Sequence, residues 1–140
     1  MRIPWSTIFE VIEGYTSPQK IHAIWRFRPA IEKYVSQMSF SSSSIARTNR
    51  NPAHPHEKQM KDACAVIILE RMDETLSELP PESQKIWNWR YQEYMPLEHI
   101  GQMLYDPPKD CQDISSFFRV KALRSLDSIA TKLARMMACD

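Results

Sequence analysis

A chain of 140 residues can bury one domain core, with room for a small helical extension, but not two full-sized domains. Its two glycines, 43% hydrophobic residues and 25% charged residues predict an all-α soluble fold. No apolar run is long enough to span a bilayer, and the N-terminus lacks a signal-peptide pattern, so we expect a cytoplasmic protein without a membrane partner. Three cysteines, Cys64, Cys111 and Cys139, include no CxxC pair and predict free thiols.

The net charge of +1 hides an uneven distribution of charge along the chain. Lys and Arg outnumber Asp and Glu by 8 to 2 in residues 20–61 and by 5 to 2 in residues 111–137. Acidic residues prevail by 8 to 3 in residues 62–98. A nucleic acid would be attracted to the two basic regions, whereas the acidic middle would face away from it or hold a basic partner.

Residues 1–38 are predicted to form an N-terminal helical segment that contacts a partner or a second copy. A short amphipathic helix from Trp5 to Glu13 should stop at Gly14. Ser17-Pro18 is typical of a helix start, and Pro29 should kink or restart the chain.

Residues 39–56 are predicted to be a basic linker rich in serine and proline. Arg47 and Arg50 leave open an alternative, in which this stretch is an arm lying along a phosphate backbone. His54, His56 and Cys64 lack a fourth ligand at a recognised spacing, so we expect neither a zinc site nor another cofactor.

Residues 57–140 carry the strongest helical patterns. One helix is predicted from Glu57 to Glu78, followed by two short helices and a long one. The long helix has an apolar stripe at three- and four-residue steps, formed by Ile114, Phe118, Ala122, Leu126, Ile129, Leu133 and Met136. Asp110 or Asp113 should cap it, and Gly101 should allow a neighbouring helix to approach the second short helix closely.

Aromatic residues cluster in the first short helix. Trp87, Tyr91 and Tyr94 share one side at helical spacing, which favours packing in the core over stacking on unpaired bases.

The stretch LPPESQKIWNWRYQEYMPLEHIGQML, with its Leu79-Pro80 start, the Arg90-Tyr91 pair and Glu98 shortly before Ile100, resembles the opening of the fourth region of bacterial sigma factors. The later RVKALRSL resembles the end of that region. The order of elements is also similar to that of phage late-transcription regulators of the ArpU-like type. The resemblance covers about sixty residues and implies a helix-turn-helix module in residues 79–137, whose third helix enters the major groove of DNA. With the preceding long helix, residues 57–140 are then expected to form a helix-turn-helix DNA-binding domain. The turn YDPPKDCQD is several residues longer than in that family.

This resemblance and the polar side of the third helix indicate a set of DNA-binding residues. The side chains expected to face base edges are Gln112, Ser115, Ser116 and Arg119. Those expected to hold phosphates are Lys109, Lys121 and Arg124. Arg90 could reach a phosphate or pair with Glu93 or Glu98. Phe117 could belong to the core or contact a partner.

The leading hypothesis is a sequence-specific, double-stranded DNA-binding transcription regulator of bacterial or phage type, present as a homodimer, with RNA polymerase as a possible partner. No motif for catalysis is visible, so we do not expect an enzyme. A first alternative is a protein-binding adaptor with a sigma-like fold, which docks on RNA polymerase or another regulator through Glu70, Asp73 and Glu74. A second is a phage terminase small subunit.

Overall fold

A computed structural model of the protein describes residues 2–48 and 55–138. Within these ranges the chain forms seven α-helices, and helices are the only regular secondary structure there, which confirms the all-α prediction. The helices are α1 (Trp5–Ile12), α2 (Pro18–Arg26), α3 (Arg28–Thr48), α4 (Pro55–Ser77), α5 (Pro81–Tyr91), α6 (Leu97–Leu104) and α7 (Ile114–Ala138). None of them is long and apolar enough to cross a membrane.

Helix α1 begins at Trp5 as predicted and ends one residue before the predicted Glu13, and α2 begins at the predicted Ser17-Pro18. Gly14 has a φ of 98°, a left-handed conformation that favours glycine, and it follows the end of α1. The Ser17 side chain accepts a hydrogen bond of 3.2 Å from the backbone N–H of Lys20 and so caps α2, whose first residue is Pro18.

Helix α3 continues into the stretch that the sequence predicts to be a linker. It runs to Thr48, so residues 39–48 of the predicted linker, residues 39–56, are helical. Serine lowers helix propensity only modestly, and residues 39–48 contain neither glycine nor proline to end the helix. Residues 49–54, with Arg50 and His54, lie outside the described residues, and α4 begins at Pro55.

One hydrophobic core joins the N-terminal helices to the later ones. Ile8 of α1 and Ile24 of α2 are fully buried in the same cluster as Met72, Trp87 and Leu133. The predicted boundary at residues 39–56 therefore does not divide the core.

Two long-range hydrogen bonds support this arrangement. The Thr16 hydroxyl donates to the Ala134 carbonyl at 2.7 Å, and Arg71 Nη1 donates to the Ile12 carbonyl at 3.1 Å. The second bond satisfies a carbonyl at the end of α1 that has no partner within the helix. The N-terminal helices are thus tied to both α7 and α4.

Helix α7 buries most of its predicted stripe. The buried stripe residues are Phe118, Ala122, Leu126, Ile129 and Leu133. The prediction is wrong for Ile114, which is 50% exposed because it is the first residue of α7, a full turn before the point where α6 crosses. At the other end, Met137 is buried in place of its half-buried neighbour Met136.

Gly101 marks the crossing of α6 and α7. A Cβ atom placed on Gly101 would lie 2.7 Å from both the Cα and the carbonyl carbon of Phe118. Only glycine fits here, because the Phe118 backbone leaves no room for a side chain. The predicted close approach of a neighbouring helix is confirmed.

The aromatic prediction is only partly confirmed. Trp87 is fully buried and Tyr91 is half-buried, but Tyr94 is 66% exposed. Helix α5 ends at Tyr91, so the helical spacing that would place Tyr94 beside the other two does not continue to residue 94. Tyr94 instead has a φ of 55° in the turn that leads to α6.

Candidate nucleic-acid interface

The candidate interface is the first half of α7, which is a continuous helix from Ile114 onward. Asp113 Oδ1 accepts a hydrogen bond of 3.1 Å from the backbone N–H of Ser116, so Asp113 caps this helix as one of the two predicted candidates.

The turn before α7 is anchored on the helix despite its length. The Tyr105 hydroxyl is hydrogen-bonded to the Ser125 hydroxyl, one turn beyond Lys121. The Lys121 ammonium lies 5.8 Å from the ring centroids of both Tyr105 and Phe117, at cation–π distance. Phe117 is half-buried beneath this ammonium and also contacts Phe118 edge-on. The position of the turn and that of Lys121 are therefore coupled.

The predicted base-contacting residues are accessible to different degrees. Gln112 in the turn and Arg119 on α7 are exposed, whereas Ser115 and Ser116 are half-buried. Lys109, predicted to hold a phosphate, is exposed in the turn. The structure adds two exposed apolar side chains that the prediction omitted, Val120 at 44% and Leu123 at 45%.

The predicted cations of α7 lie on two different sides of the helix. At 3.6 residues per turn, Arg119 and Lys121 are separated by about 160° around the axis, and Arg119 and Arg124 by about 140°. Ser116 lies between Arg119 and Arg124, about 60° from Arg119. The structure thus separates the predicted set into an Arg119 side and a Lys121/Arg124 side.

The Lys121/Arg124 side forms the wall of a groove of about 350 Å³ between α5 and α7. We call it the cationic groove, and the polar residues that line it are Lys121, Arg124, Lys132, Ser83, Tyr105, Ser125 and Ser128. The nine residues that line it include no carboxylate. Three cations and four hydroxyl groups are a suitable set of donors for phosphate oxygens.

The predicted DNA-binding set omits three polar α7 residues of this groove, Ser125, Ser128 and Lys132, although their spacing places them on one side of the helix. Lys121, Ser125, Ser128 and Lys132 recur at steps of four, three and four residues and therefore share one side of α7. Ser83, on α5, offered no such signal because only the packing of α5 against α7 brings it to the groove.

Arg90 lies elsewhere and has an internal contact. It is half-buried, and its Nη1 donates a hydrogen bond of 3.2 Å to the Met95 carbonyl. This bond braces the turn between α5 and α6, and Arg90 is not among the residues that line the cationic groove.

The residues considered as zinc ligands do not come together among those described. No group of three His, Cys, Asp or Glu side chains suited to a metal occurs within residues 2–48 and 55–138. Burial raises the pKa of the Cys64 thiol, and the charge of Glu13 adds to this, so the thiol stays protonated at neutral pH. His54 and Cys139 lie outside the described residues, and His56 is exposed.

The acidic residues of α4 form a second charged surface. Glu70, Asp73 and Glu74 are exposed, as is Glu78 just after the helix. Asp73 accepts a hydrogen bond of 2.5 Å from Arg28 Nη2 of α3.

The fold and these two surfaces define an all-α protein that has a cationic groove beside α7 and an acidic face on α4. Comparison of the chain with protein-family models, with curated proteins and with solved structures found no match.

Proposed function

We propose that the chain is a sequence-specific, double-stranded DNA-binding transcription regulator of bacterial or phage type. In this proposal α5, α6 and α7 form a helix-turn-helix module similar to the fourth region of sigma factors, and α7 enters the major groove. The observation that carries the proposal is the presence of cations on both sides of α7, with Arg119 on one side and the cationic groove on the other.

A helix inserted in the major groove has a phosphate backbone on each side of it, because the groove is only about 12 Å wide. Arg119 and Arg124, about 140° apart around α7, would each face one of these backbones. The three cations of the cationic groove, Lys121, Arg124 and Lys132, concentrate positive charge on the second side. Phosphate contacts of this kind would set the position of α7 on the duplex.

Between the two cationic sides, α7 offers a mixed surface to the base edges. Ser116, Val120 and Leu123 lie there, and the last two are nearly half exposed. A serine hydroxyl can donate to or accept from a base, and apolar side chains in the major groove contact the methyl group of thymine. We therefore expect the preferred sequence to contain thymine opposite Val120 or Leu123.

The salt dependence of binding tests the proposal. Fluorescence anisotropy of a labelled duplex of random sequence should show an affinity that falls linearly with salt on logarithmic axes. A triple variant that combines Lys121→Gln, Arg124→Gln and Lys132→Gln removes the three cations of the groove. It should lower the slope by about 2 to 3, since each phosphate contact contributes about 0.9.

The matched control is Lys33→Gln together with Lys58→Gln, two exposed lysines of α3 and α4 outside the groove, which should leave the slope within about 0.5 of the unmodified protein. Urea unfolding verifies that all variants are folded. A slope near zero in the unmodified protein, or equal slopes in the triple variant and the control, would overturn the proposal.

The second candidate is a protein-binding adaptor that docks on RNA polymerase or another regulator. The exposed acidic face of α4 favours it, because such a face suits a basic partner. Under this hypothesis, capture of polymerase depends on Glu70 and Glu74, and Arg119→Ala has no effect on it. Under the leading proposal, Arg119→Ala weakens DNA binding, whereas Glu70→Gln with Glu74→Gln does not.

We further propose that the regulator is a homodimer, since a single module makes few base contacts and twofold symmetry doubles them. Sedimentation with and without a duplex would test this.

A further inference from the structure

A second cavity, of about 480 Å³, lies among α2, α3, α4 and the end of α5. Its lining combines aromatic rings with a charged cluster, and we call it the aromatic pocket. Its defining residues are Trp25, Arg28, Glu32, Asp73, Tyr91 and Tyr94. None of them lines the cationic groove beside α7.

Three aromatic rings surround the cavity at different depths. Trp25 is 3% exposed and is held edge-on against Trp87, with ring centroids 5.4 Å apart. Tyr91 is half-buried, and Tyr94 stands at the rim with most of its surface exposed. The positive φ of Tyr94 places a large, exposed ring beside the opening, although this backbone conformation is uncommon for a residue with a bulky side chain.

The charged cluster in the pocket carries a net negative charge. Arg28 Nε donates to Glu32 at 2.7 Å, and its Nη2 donates to Asp73 at 2.5 Å. One guanidinium opposite two carboxylates leaves one negative charge. Each carboxylate can accept further hydrogen bonds, because its two oxygens together offer about four acceptor sites.

The Arg28 guanidinium remains charged in this setting. Burial lowers the pKa of Arg28, but its hydrogen bonds to Glu32 and Asp73 and the charges of both carboxylates outweigh this, and the net shift is upward. Its positive charge is therefore already matched within the protein. An anion that enters the pocket would find the Arg28 guanidinium already paired, and it would be repelled by the second carboxylate.

We propose that the aromatic pocket binds a basic side chain, lysine or arginine, from an extended segment of a partner protein. Aromatic faces attract an ammonium or guanidinium group, and the surplus carboxylate charge pairs with it. The exposed Glu70 and Glu74 beside Asp73 on α4 extend the negative field around the opening and favour further cations in the same segment. The base of a nucleotide would also meet aromatic rings here, but the negative charge would repel its phosphate.

Binding of a basic side chain here does not depend on DNA binding, which uses other residues, so either proposal can fail without the other. The test uses the full ¹⁵N-labelled chain, with the indole N–H of Trp25 as reporter. The probes are acetyl-Gly-Arg-Gly-amide and the matched citrulline peptide, which keeps the shape of arginine but lacks its charge. We expect the arginine peptide to shift the Trp25 signal in a saturable way. The citrulline peptide should bind at least about fivefold more weakly, because it lacks the charge that makes a cation–π contact.

Two variants sharpen the test. Tyr94→Ala should weaken binding of the arginine peptide about two- to fivefold, whereas Tyr15→Ala, which removes an equally exposed tyrosine elsewhere, should not. Arg28→Gln should strengthen binding, because it removes the internal cation that competes for Glu32 and Asp73. Thermal melting verifies that each variant is folded.

Three results would overturn the proposal. The first is equal binding of the arginine and citrulline peptides. The second is loss of binding in Arg28→Gln while that variant remains folded, which would mean that Arg28 itself holds the ligand. The third is saturable binding of adenosine monophosphate at Trp25 more tightly than of the arginine peptide.

Discussion

His22 Nε2 lies 2.9 Å from Asp127 Oδ1, across 105 positions of the chain. The other ring nitrogen of His22, Nδ1, is hydrogen-bonded to the Tyr91 hydroxyl, and the imidazole packs against Trp87 at a centroid distance of 5.3 Å. A single side chain of α2 therefore connects α5 to the middle of α7. The N-terminal helices thereby help to position the helix that we propose to enter DNA.

The His22–Asp127 pair should contribute a measurable coupling energy. A double-mutant cycle with His22→Ala and Asp127→Ala should give a coupling of about 0.5–1 kcal/mol in the free energy of unfolding, a modest value because the Asp127 side chain is 52% exposed. Asp127→Asn keeps an acceptor oxygen and should lose less stability than Asp127→Ala. Additive effects of the two alanine substitutions in urea unfolding would contradict this.

Gly101→Ala should strongly destabilise the protein. In an ordinary helix interior this change stabilises by up to about 1 kcal/mol, but here the new methyl group overlaps the backbone of Phe118. We expect a net loss of about 2 kcal/mol or more in the free energy of unfolding. Gln102→Ala, at the exposed neighbouring position, is the control and should change stability by less than about 0.5 kcal/mol. A neutral Gly101→Ala variant would show that α6 and α7 are not in such close contact.

Arg119→Ala should weaken DNA binding about tenfold or more, since loss of a charged contact to a phosphate or a base costs on the order of 1–3 kcal/mol. Arg135→Ala provides the matched control, because Arg135 is exposed near the other end of the same helix. Both variants are compared by anisotropy at one salt concentration. Equal affinities of the two variants would remove Arg119 from the set of DNA contacts.

Ser116→Ala should act differently from Arg119→Ala. We expect it to relax the preference at one base position while leaving binding to random DNA unchanged, because Ser116 carries no charge. Selection of preferred sequences from a random pool, with the unmodified protein in parallel, measures this. An unaltered preferred sequence would mean that Ser116 does not contact a base.

Tyr91 should make the protein less stable at high pH. Burial raises the pKa of Tyr91 to about 12, with a further upward effect of Asp127 that Arg90 and Arg26 oppose. In the unfolded chain a tyrosine ionises near pH 10, so this contribution to stability is complete below about pH 10 and is lost as the pH rises toward 12.

The free energy of unfolding should therefore fall less steeply between about pH 10 and 12 in Tyr91→Phe than in the unmodified protein. Burial and the hydrogen bond to Asp62 also raise the pKa of Tyr34, but Tyr34 is present in both proteins, so their difference isolates Tyr91. Tyr15→Phe, at an exposed ring, should keep the unmodified pH dependence. Identical slopes for Tyr91→Phe and the unmodified protein would show that this hydroxyl is hydrated in the folded state.

Local features of the chain were predictable where a short stretch of sequence decides them. The cap at Ser17, the stop at Gly14 and the stripe from Phe118 to Leu133 all follow from the conformations and side-chain spacings available within a few turns. The prediction for Tyr94 is wrong because α5 ends at Tyr91. The predicted end of α3 is also too early, since the helix continues through the serine run to Thr48.

The sequence by itself determined the helical class and the buried side of α7, because periodicity and backbone sterics act over short distances. Only the tertiary structure decided that Ser83 joins Lys132 in one groove, that His22 reaches Asp127, and that Trp25, Asp73 and Tyr94 surround one cavity. These groups lie on different helices, and their meeting depends on how the helices cross, which is set by the packing of the whole core rather than by any local pattern.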